Sequence, residues 1–284
     1  MADTPFEIRR ELSLANRIVA NEGVLDAFGH VSMRVPGKPD RYLLSRSRSP
    51  QLVAPEDFIE YDLDSNPVRE PGNTQYSERV IHGEIYKARP DVMSVCHHHA
   101  PDFMPLLVTG TGFVPVFHLG AVGGINPPFW DQRDEFGDTN LLVVKPEEGA
   151  SLARALGSHW MVLMNRHGVT VAGTSVTDCV FRTIYSARNA EYQVKATALG
   201  TLAPLSPGEV DLCGRIGTAT TGLMRAWEYW SMRVAKAGGA VDAAKPAKSA
   251  KSAKSAKPIK PAVKARPAAK KTAGKKRPAA GRRR

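Results

Sequence analysis

The chain has 284 residues, of which 42% are hydrophobic, which is enough to bury a core and excludes a wholly disordered protein. Its formal net charge of +11 is unevenly placed, because sixteen of the 39 Lys and Arg residues lie between Lys245 and Arg284, where no acidic residue occurs. The remaining 23 basic residues stand against 28 acidic ones, so the rest of the chain is mildly acidic. Binding to nucleic acid is therefore expected from the C-terminal segment alone.

The composition also indicates a compartment. The three cysteines are odd in number and widely spaced, unlike the dense pairs of small secreted proteins. The N-terminal residues mix charges with apolar side chains and lack the core of a signal peptide, and no apolar run is long enough to span a bilayer. We therefore expect a cytoplasmic protein without a membrane span.

The first half of the chain alternates helical and β patterns. Apolar residues recur at a helical period over residues 6–22, and Asn21-Glu22-Gly23 ends that run. Segments rich in β-branched and aromatic residues follow between turn residues, at positions 30–35, 41–44 and 58–62. A helix is predicted over residues 77–88 with Ser77 as N-cap, and a strand over residues 92–96 runs into three consecutive histidines.

The second half continues this alternation. Short apolar runs occur at positions 141–144, 160–164 and 169–172. Helices are predicted over residues 146–156, 177–199 and 207–234. Asp178 and Arg182 are spaced to pair at i,i+4 in the second of these helices, and the aromatic group Trp227, Tyr229 and Trp230 is expected to pack the last one. Strands followed by helices predict an α/β fold with one mixed or antiparallel sheet covered by helices.

The composition changes after Gly239 to Ala, Lys, Pro and Ser. Frequent prolines and regularly spaced lysines prevent a packed core, so residues 1–239 are predicted to form one catalytic domain and residues 240–284 a disordered basic tail. The tail could bind DNA, RNA or another polyanion without sequence specificity, because no aromatic residue is present to stack on bases. The alternative is a segment that serves solubility only.

Three histidines carry the strongest chemical signal. Alternation along the predicted strand places His97 and His99 on one face, about 7 Å apart, and His98 on the other. His167 follows another strand, where Gly168 permits a sharp turn, and could supply a third imidazole. Such a set suits Zn²⁺, and also Mn²⁺, Co²⁺ or Fe²⁺, although histidines are also common as packed or surface residues.

The other histidines and the cysteine of this strand have simpler interpretations. His82 and His159 are expected on a helix surface or in a loop. Cys96 is expected to be a small buried apolar residue.

Four landmarks stand in a fixed order along the chain. They are Gly29-His30-Val31-Ser32-x-Arg34, Ser77-Glu78, His97-x-His99 and Asn165-x-His167-Gly168. Together they resemble the class II aldolase/adducin family over roughly residues 7–232. The resemblance implies a three-layer α/β/α fold with a central, largely antiparallel sheet, and a homotetramer with sites near subunit interfaces. It also implies one divalent metal per subunit, Zn²⁺ or Mn²⁺, held by the three histidines, with Glu78 as catalytic acid/base or fourth ligand.

The sequence departs from the sugar-phosphate aldolases of this family at the phosphate-binding positions. His30 stands where an Asn is expected, and Arg46 and Arg48 occupy a loop where a small Gly-containing turn is expected. Two guanidinium groups leave less room for a phosphate and offer forked donors to planar carboxylates. These residues look closer to the metal-dependent decarboxylase branch, which includes the decarboxylases of hydroxyphthalates, of 3-hydroxy-2-methylpyridine-4,5-dicarboxylate and of carboxymuconic semialdehydes.

This resemblance implies a carboxy-lyase in the breakdown of aromatic compounds. Its substrate would be a hydroxylated aromatic, heteroaromatic or oxo-enol carboxylic acid, and its metal an electron sink. Glu78 or His30 would protonate the vacated carbon. The residues predicted to bind the substrate are Arg46, Arg48, Ser32 and His118.

Two alternatives stay open. The first is a sugar-phosphate aldolase, epimerase or dehydratase of the same family. The second is a non-catalytic assembly module of the adducin type, against which the complete set of His97, His99, His167 and Glu78 argues.

Overall fold

The computed structural model describes residues 5–238, so the basic tail predicted at positions 240–284 lies outside the described residues. Seven strands of the described part form one sheet: β1 (His30–Arg34), β2 (Arg41–Ser45), β3 (Phe58–Asp62), β4 (Ser94–His98), β5 (Phe129–Trp130), β6 (Met161–Met164) and β7 (Gly168–Gly173). Their order is β3-β2-β1-β4-β7-β6-β5. Every pair is antiparallel except β5 and β6.

Helices cover both faces of this sheet. The α-helices of the described residues are α1 (Phe6–Asn21), α2 (Arg79–Ala88), α3 (Met104–Thr109), α4 (Arg133–Phe136), α5 (Pro146–Leu156), α6 (Val176–Thr197), α7 (Pro207–Gly217) and α8 (Thr220–Lys236). Side chains of α1, α6 and α8 share one apolar core with one face of the sheet, and side chains of α2 and α5 share a second core with the other face. This arrangement confirms the predicted three-layer α/β/α fold with a largely antiparallel sheet.

The strand β4 shows how alternation divides the two cores. Cys96 belongs to the core beneath α1 and α6, as expected of a small buried residue, and Val95 belongs to the core beneath α2 and α5. Since successive side chains of a strand point to opposite faces, His97 lies on the α2 side. The site described below therefore forms between the sheet and α2.

Several predicted elements are confirmed. Asp178 pairs with Arg182 across one turn of α6, with 2.9 Å between the carboxylate oxygen and Nε. Trp227 and Trp230 pack into the core from α8, whereas Tyr229 is half exposed. His159 lies in an exposed loop. No helix of residues 5–238 is both long and apolar enough to cross a membrane.

Two local predictions are wrong. The helix α2 begins at Arg79, and its N-cap is Glu78 rather than Ser77. The predicted helix over residues 207–234 is two helices, because Ala219 takes an extended conformation (φ −65°, ψ 143°) and ends the run of helical dihedrals. The apolar run at 141–144 is a loop in the structure, and Leu141 has a left-handed φ of 66°.

Candidate metal centre and active site

Four side chains from three parts of the fold converge at one end of β4. His97 lies on β4, His99 follows it, His167 lies in the turn between β6 and β7, and Glu78 caps α2. One ligand atom from each lies within 4.8 Å of all the others. The structure therefore brings together all four residues that the sequence predicted for the metal centre.

The distances suit a single small cation. The Nε2 atoms of His97 and His99 are 3.1 Å apart. The Glu78 carboxylate lies 3.7 Å from His97 Nε2 and 3.5 Å from His167 Nε2. Three imidazole nitrogens and one carboxylate oxygen form a donor set that Zn²⁺ and Mn²⁺ both accept. The residues present thus fit the divalent metal that the resemblance implies.

The turn that carries His167 is shaped by its neighbours. Arg166, with φ 57°, is the left-handed residue of the turn, whereas Gly168 was expected to provide the sharp bend. Gly168 is needed for a different reason: a Cβ there would come within 2.4 Å of the His98 carbonyl oxygen and 2.7 Å of the His99 ring. A glycine lets the end of β4 approach this turn closely enough for the imidazoles to meet.

Burial sets the protonation of the cluster. Burial, and then the charges of His167 and His99, hold the pKa of His97 well below its usual value. Burial, followed by the charge of His99, lowers the pKa of His167 to about 4. Burial also lowers the pKa of His99. The imidazoles are therefore neutral near pH 7, which is the form in which a histidine binds a metal.

Glu78 has the opposite response to the same environment. Burial raises its pKa to about 7, although the Val143 N–H, which donates to Oε1 at 3.0 Å, acts to lower it. This contact also explains why Glu78 makes no capping hydrogen bond to α2. The loop at 141–144 thus holds the carboxylate toward the histidines.

The orientation of His97 is fixed by a threonine on the neighbouring strand. His97 Nδ1 lies 3.1 Å from Thr170 Oγ1, whose hydroxyl lies 3.3 Å from Met164 Sδ. If Nδ1–H donates to Thr170, the Nε2 lone pair of His97 is free for a metal. Such a partner for the second nitrogen is usual for metal-binding histidines.

His30 lies beside the cluster. It is paired with His97 in the register of β1 and β4, and their ring centroids are 5.5 Å apart. Tyr76 packs against its ring at 4.4 Å. Its Nδ1 lies 2.7 Å from Nε2 of His82. Sequence reasoning placed His82 on a surface, which is wrong, because the residue is fully buried between α2 and the sheet.

Ser32 lies behind His30 on the same face of β1. It is fully buried, and its hydroxyl is 2.6 Å from His82 Nδ1 and 2.7 Å from the Tyr86 hydroxyl. Ser32, which was predicted to bind the substrate, is thus enclosed by His82 and Tyr86 in the structure.

Arg46 and Arg48 share one carboxylate. Arg46 Nε lies 2.6 Å from one oxygen of Asp57, and Arg48 Nη1 lies 2.8 Å from the other. Burial acts to raise the pKa of Asp57, but hydrogen bonds from Arg46, the Ala54 N–H and Arg48 outweigh it and hold the pKa below its usual value. Two guanidinium groups on one carboxylate leave one positive charge unbalanced within this group.

The arginine loop is joined to the segment that leads to Glu78. Arg46 forms an isolated antiparallel bridge with Gln75, and the Tyr76 hydroxyl donates to the Arg48 carbonyl oxygen. Since Tyr76 also packs on His30, this residue connects the arginine loop to the cluster.

His118 is not brought to the cluster within this chain. It is exposed and lines an apolar cavity of about 660 Å³ together with Phe181, Tyr185 and Ile216. None of the four candidate metal ligands lines this cavity.

Sequence reasoning missed His82, Tyr86 and Thr170. A signal for the first two was present: Glu78, His82 and Tyr86 recur every four residues and so form one stripe along α2. Thr170 carried no such signal, because its contact with His97 depends on the register of β4 against β7.

Known proteins are similar to this chain in sequence and in fold. Residues 10–194 match the family model described as Class II Aldolase and Adducin N-terminal domain. The chain is 32% identical to Decarboxylase tropJ of Talaromyces stipitatus in an alignment 243 residues long that covers 78% of this chain and 91% of that relative. It is 29% identical to the 3,4-dihydroxyphthalate decarboxylase of Arthrobacter keyseri in an alignment 251 residues long that covers 81% of this chain and 94% of that enzyme. The crystal structure of an aldolase II superfamily protein from Pseudomonas syringae has the same fold, with a TM-score of 0.70 at 20% identity over 84% of this chain and 96% of that one.

Proposed function

Because the chain belongs to the class II aldolase and adducin family, we propose that it is a divalent-metal-dependent decarboxylase of a hydroxylated aromatic, heteroaromatic or oxo-enol carboxylic acid. The observation that carries this proposal is the convergence of three neutral imidazoles and one carboxylate within 4.8 Å. Two relatives that align along most of the chain bear the name decarboxylase, and one of them is named for a dihydroxylated phthalate.

His97, His99, His167 and Glu78 would hold Zn²⁺ or Mn²⁺, one ion per subunit. When bound, such an ion supplies a Lewis acid that draws negative charge onto an oxygen beside the leaving carboxylate and so acts as an electron sink. The three imidazoles need not release a proton before they bind the ion, because burial already holds them neutral.

The arginine loop is suited to hold a second carboxylate of the substrate. Arg46 and Arg48 carry two positive charges against the single charge of Asp57. Both side chains are about one-third exposed, at 32% each, so a carboxylate can reach them. A guanidinium group that binds a carboxylate through two N–H donors also fixes its plane, and this would determine which carboxyl group faces the ion.

Protonation of the vacated carbon needs a donor beside the ligands. Glu78 and His30 are the candidates for this step. Glu78 is in the cluster, and burial raises its pKa to about 7, so it can hold a proton when it is not a ligand of the ion. His30 packs against His97. Their proton would go to the ring carbon as the carbon–carboxylate bond breaks and carbon dioxide leaves.

Assembly and location are further parts of the proposal. We expect a cytoplasmic homotetramer, and the exposed apolar side chains of Leu212, Ile216 and Tyr229 on α7 and α8 support an assembly surface there. The basic residues of positions 240–284 would bind DNA, RNA or another polyanion without sequence specificity.

A substrate panel tests the proposal. Release of carbon dioxide is measured from aromatic and pyridine dicarboxylates that have or lack a hydroxyl group ortho to a carboxylate, with wild-type protein and with Glu78→Gln. We expect release from the ortho-hydroxylated acids alone, and a large loss in the variant. Cleavage of a ketose phosphate without release from any acid would instead support the aldolase alternative.

A further inference from the structure

A line of buried polar groups runs from the candidate metal centre into the molecule. His30 Nδ1 faces His82 Nε2 at 2.7 Å, His82 Nδ1 faces Ser32 Oγ at 2.6 Å, and Ser32 Oγ faces the Tyr86 hydroxyl at 2.7 Å. All four side chains are at most 2% exposed. We call these residues the His30–Tyr86 chain.

Two facing stripes build this chain. Ser32 follows His30 by two residues on β1, so both side chains point toward α2. His82 and Tyr86 are four residues apart on α2 and point toward the sheet. The hydrogen bonds therefore zigzag between a strand and a helix that are both packed into the core, and the geometry does not depend on a loop.

Hydrogen bonds in a chain of this kind must all run in one direction. A proton can occupy only one of the two nitrogens that face each other between His30 and His82. If His82 donates there, its Nδ1 must accept from Ser32, and Ser32 can then accept from Tyr86. If His30 donates, His82 Nδ1–H must donate to Ser32 Oγ, and one hydroxyl proton, that of Ser32 or that of Tyr86, is left without an acceptor in the chain. Among the described residues, Ser32 Oγ has no partner other than His82 and Tyr86.

The far end of the chain decides between the two directions. Within residues 5–238, Ser32 Oγ is the one hydrogen-bond partner of the Tyr86 hydroxyl. Arg34 lies over the Tyr86 ring at 4.9 Å, but a guanidinium group has no acceptor, and its N–H groups donate to backbone carbonyls. The reversed chain would thus bury a hydroxyl proton without a partner, which folded proteins avoid.

We propose that Tyr86, Ser32 and His82 are positioning residues that hold His30 as a hydrogen-bond donor toward the metal centre. Tyr86 donates to Ser32, Ser32 to His82 Nδ1, and His82 Nε2–H to His30 Nδ1. His30 is then left with its single proton on Nε2, the ring nitrogen that is not bonded to His82. It can donate a hydrogen bond to a substrate oxygen, but it cannot act as the initial base.

Burial agrees with a single proton on the His82 ring, because it lowers the pKa of His82 to about 3. The use of His30 in turnover rests on the proposed function, whereas the direction of the chain does not.

Histidine side-chain NMR tests the direction without any substrate. Full-length, zinc-loaded protein is labelled with ¹⁵N-histidine, and long-range ¹H–¹⁵N correlations show which nitrogen carries the proton. His30 and His82 are assigned by the signals lost in His30→Gln and His82→Gln, and His159→Gln, in an exposed loop, is the control. We expect both rings to be neutral with the proton on Nε2. A proton on Nδ1 of either ring, or a doubly protonated ring, overturns the proposal.

A matched pair of variants tests the positioning role. In His82→Gln an amide N–H can still donate to His30 Nδ1, whereas His82→Leu has no donor. We expect the Leu variant to lose the Nε2–H signature of His30 and to lower kcat about tenfold or more with little change in KM, and the Gln variant to retain the signature and most of kcat. An unchanged His30 signature in the Leu variant contradicts the proposal. If the wild type releases no carbon dioxide from any acid, the proposed function fails, while the NMR result still decides the direction of the chain.

Discussion

Replacing Thr170 with valine tests whether the second nitrogen of His97 is part of the metal site. Thr170 is fully buried, and valine has nearly its shape, so the change removes a hydroxyl and little else. In the wild type, Thr170 Oγ1 can accept from His97 Nδ1–H at 3.1 Å and leave Nε2 to the metal. In the variant, His97 can keep a satisfied hydrogen bond only by moving its proton to Nε2, which faces His99 at 3.1 Å.

Binding of a cation would force that proton back to Nδ1, where it has no acceptor. A buried N–H without a partner costs about 1–3 kcal/mol. Since about 1.4 kcal/mol is tenfold in affinity, Thr170→Val should weaken metal binding roughly fivefold to 140-fold.

Competition with a chromophoric chelator measures this affinity. The matched control is Thr183→Val, a buried threonine on α6 that belongs to none of the contacts of the cluster. We expect Thr183→Val to bind zinc as the wild type does. Equal zinc affinity in Thr170→Val and the wild type would refute the role given to Thr170.

Three further predictions concern acid–base chemistry, substrate binding and stability. Glu78→Gln should keep the hydrogen bond from the Val143 N–H but lower kcat for carbon dioxide release about a hundredfold or more. A kcat near that of the wild type would show that Glu78 takes no part in proton transfer. Arg46→Ala should lose a charge-assisted hydrogen bond to the substrate, worth about 1.5–3 kcal/mol, and so lower kcat/KM for a dicarboxylate roughly tenfold to a hundredfold. The control Arg154→Ala, which removes an exposed ion pair, should leave kcat/KM unchanged. Equal losses in the two variants would argue against binding of a substrate carboxylate by Arg46. The pKa of His82 is about 3 when folded and about 6.5 when unfolded, so its contribution to stability is complete above about pH 6.5 and is lost as the pH falls toward 3. Urea titrations of metal-free protein at pH 7 and at pH 4 measure this contribution as a free energy of unfolding. On going from pH 7 to pH 4, the wild type should lose about 3 kcal/mol more of this free energy than His82→Gln loses. Equal losses in the two proteins would show that burial does not hold His82 neutral.

The sequence predicted the fold and the four candidate ligands because their signals are local. Alternation along β4 separates His97 from His98, and hydrophobic periods place most helices and strands. The wrong predictions fell where tertiary contacts override local pattern. Ser77 is a good N-cap by residue type, yet the helix starts at Arg79, after Glu78, whose carboxylate accepts a hydrogen bond from the distant Val143 N–H.

The surroundings of the ligands could not be predicted in the same way. His82 lies in a segment with an ordinary amphipathic pattern, and only the packing of α2 on β1 reveals that it bonds His30. The pairing of Arg46 and Arg48 with Asp57 depends on two short 3₁₀ turns, Pro50–Leu52 and Pro55–Asp57, which no hydrophobic period indicates. Contacts between elements that are distant in the chain thus decide the details of the site.

The most direct test of the account is the metal dependence of carbon dioxide release. Full-length protein is stripped of metal, reloaded with Zn²⁺ or Mn²⁺, and assayed with an ortho-hydroxylated aromatic dicarboxylate beside His97→Ala treated in the same way. We expect release that is absent after stripping, restored by one equivalent of metal per subunit, and not restored in His97→Ala. Release that persists in stripped protein, or that His97→Ala supports as well as the wild type, would contradict the assignment of this cluster as the catalytic centre.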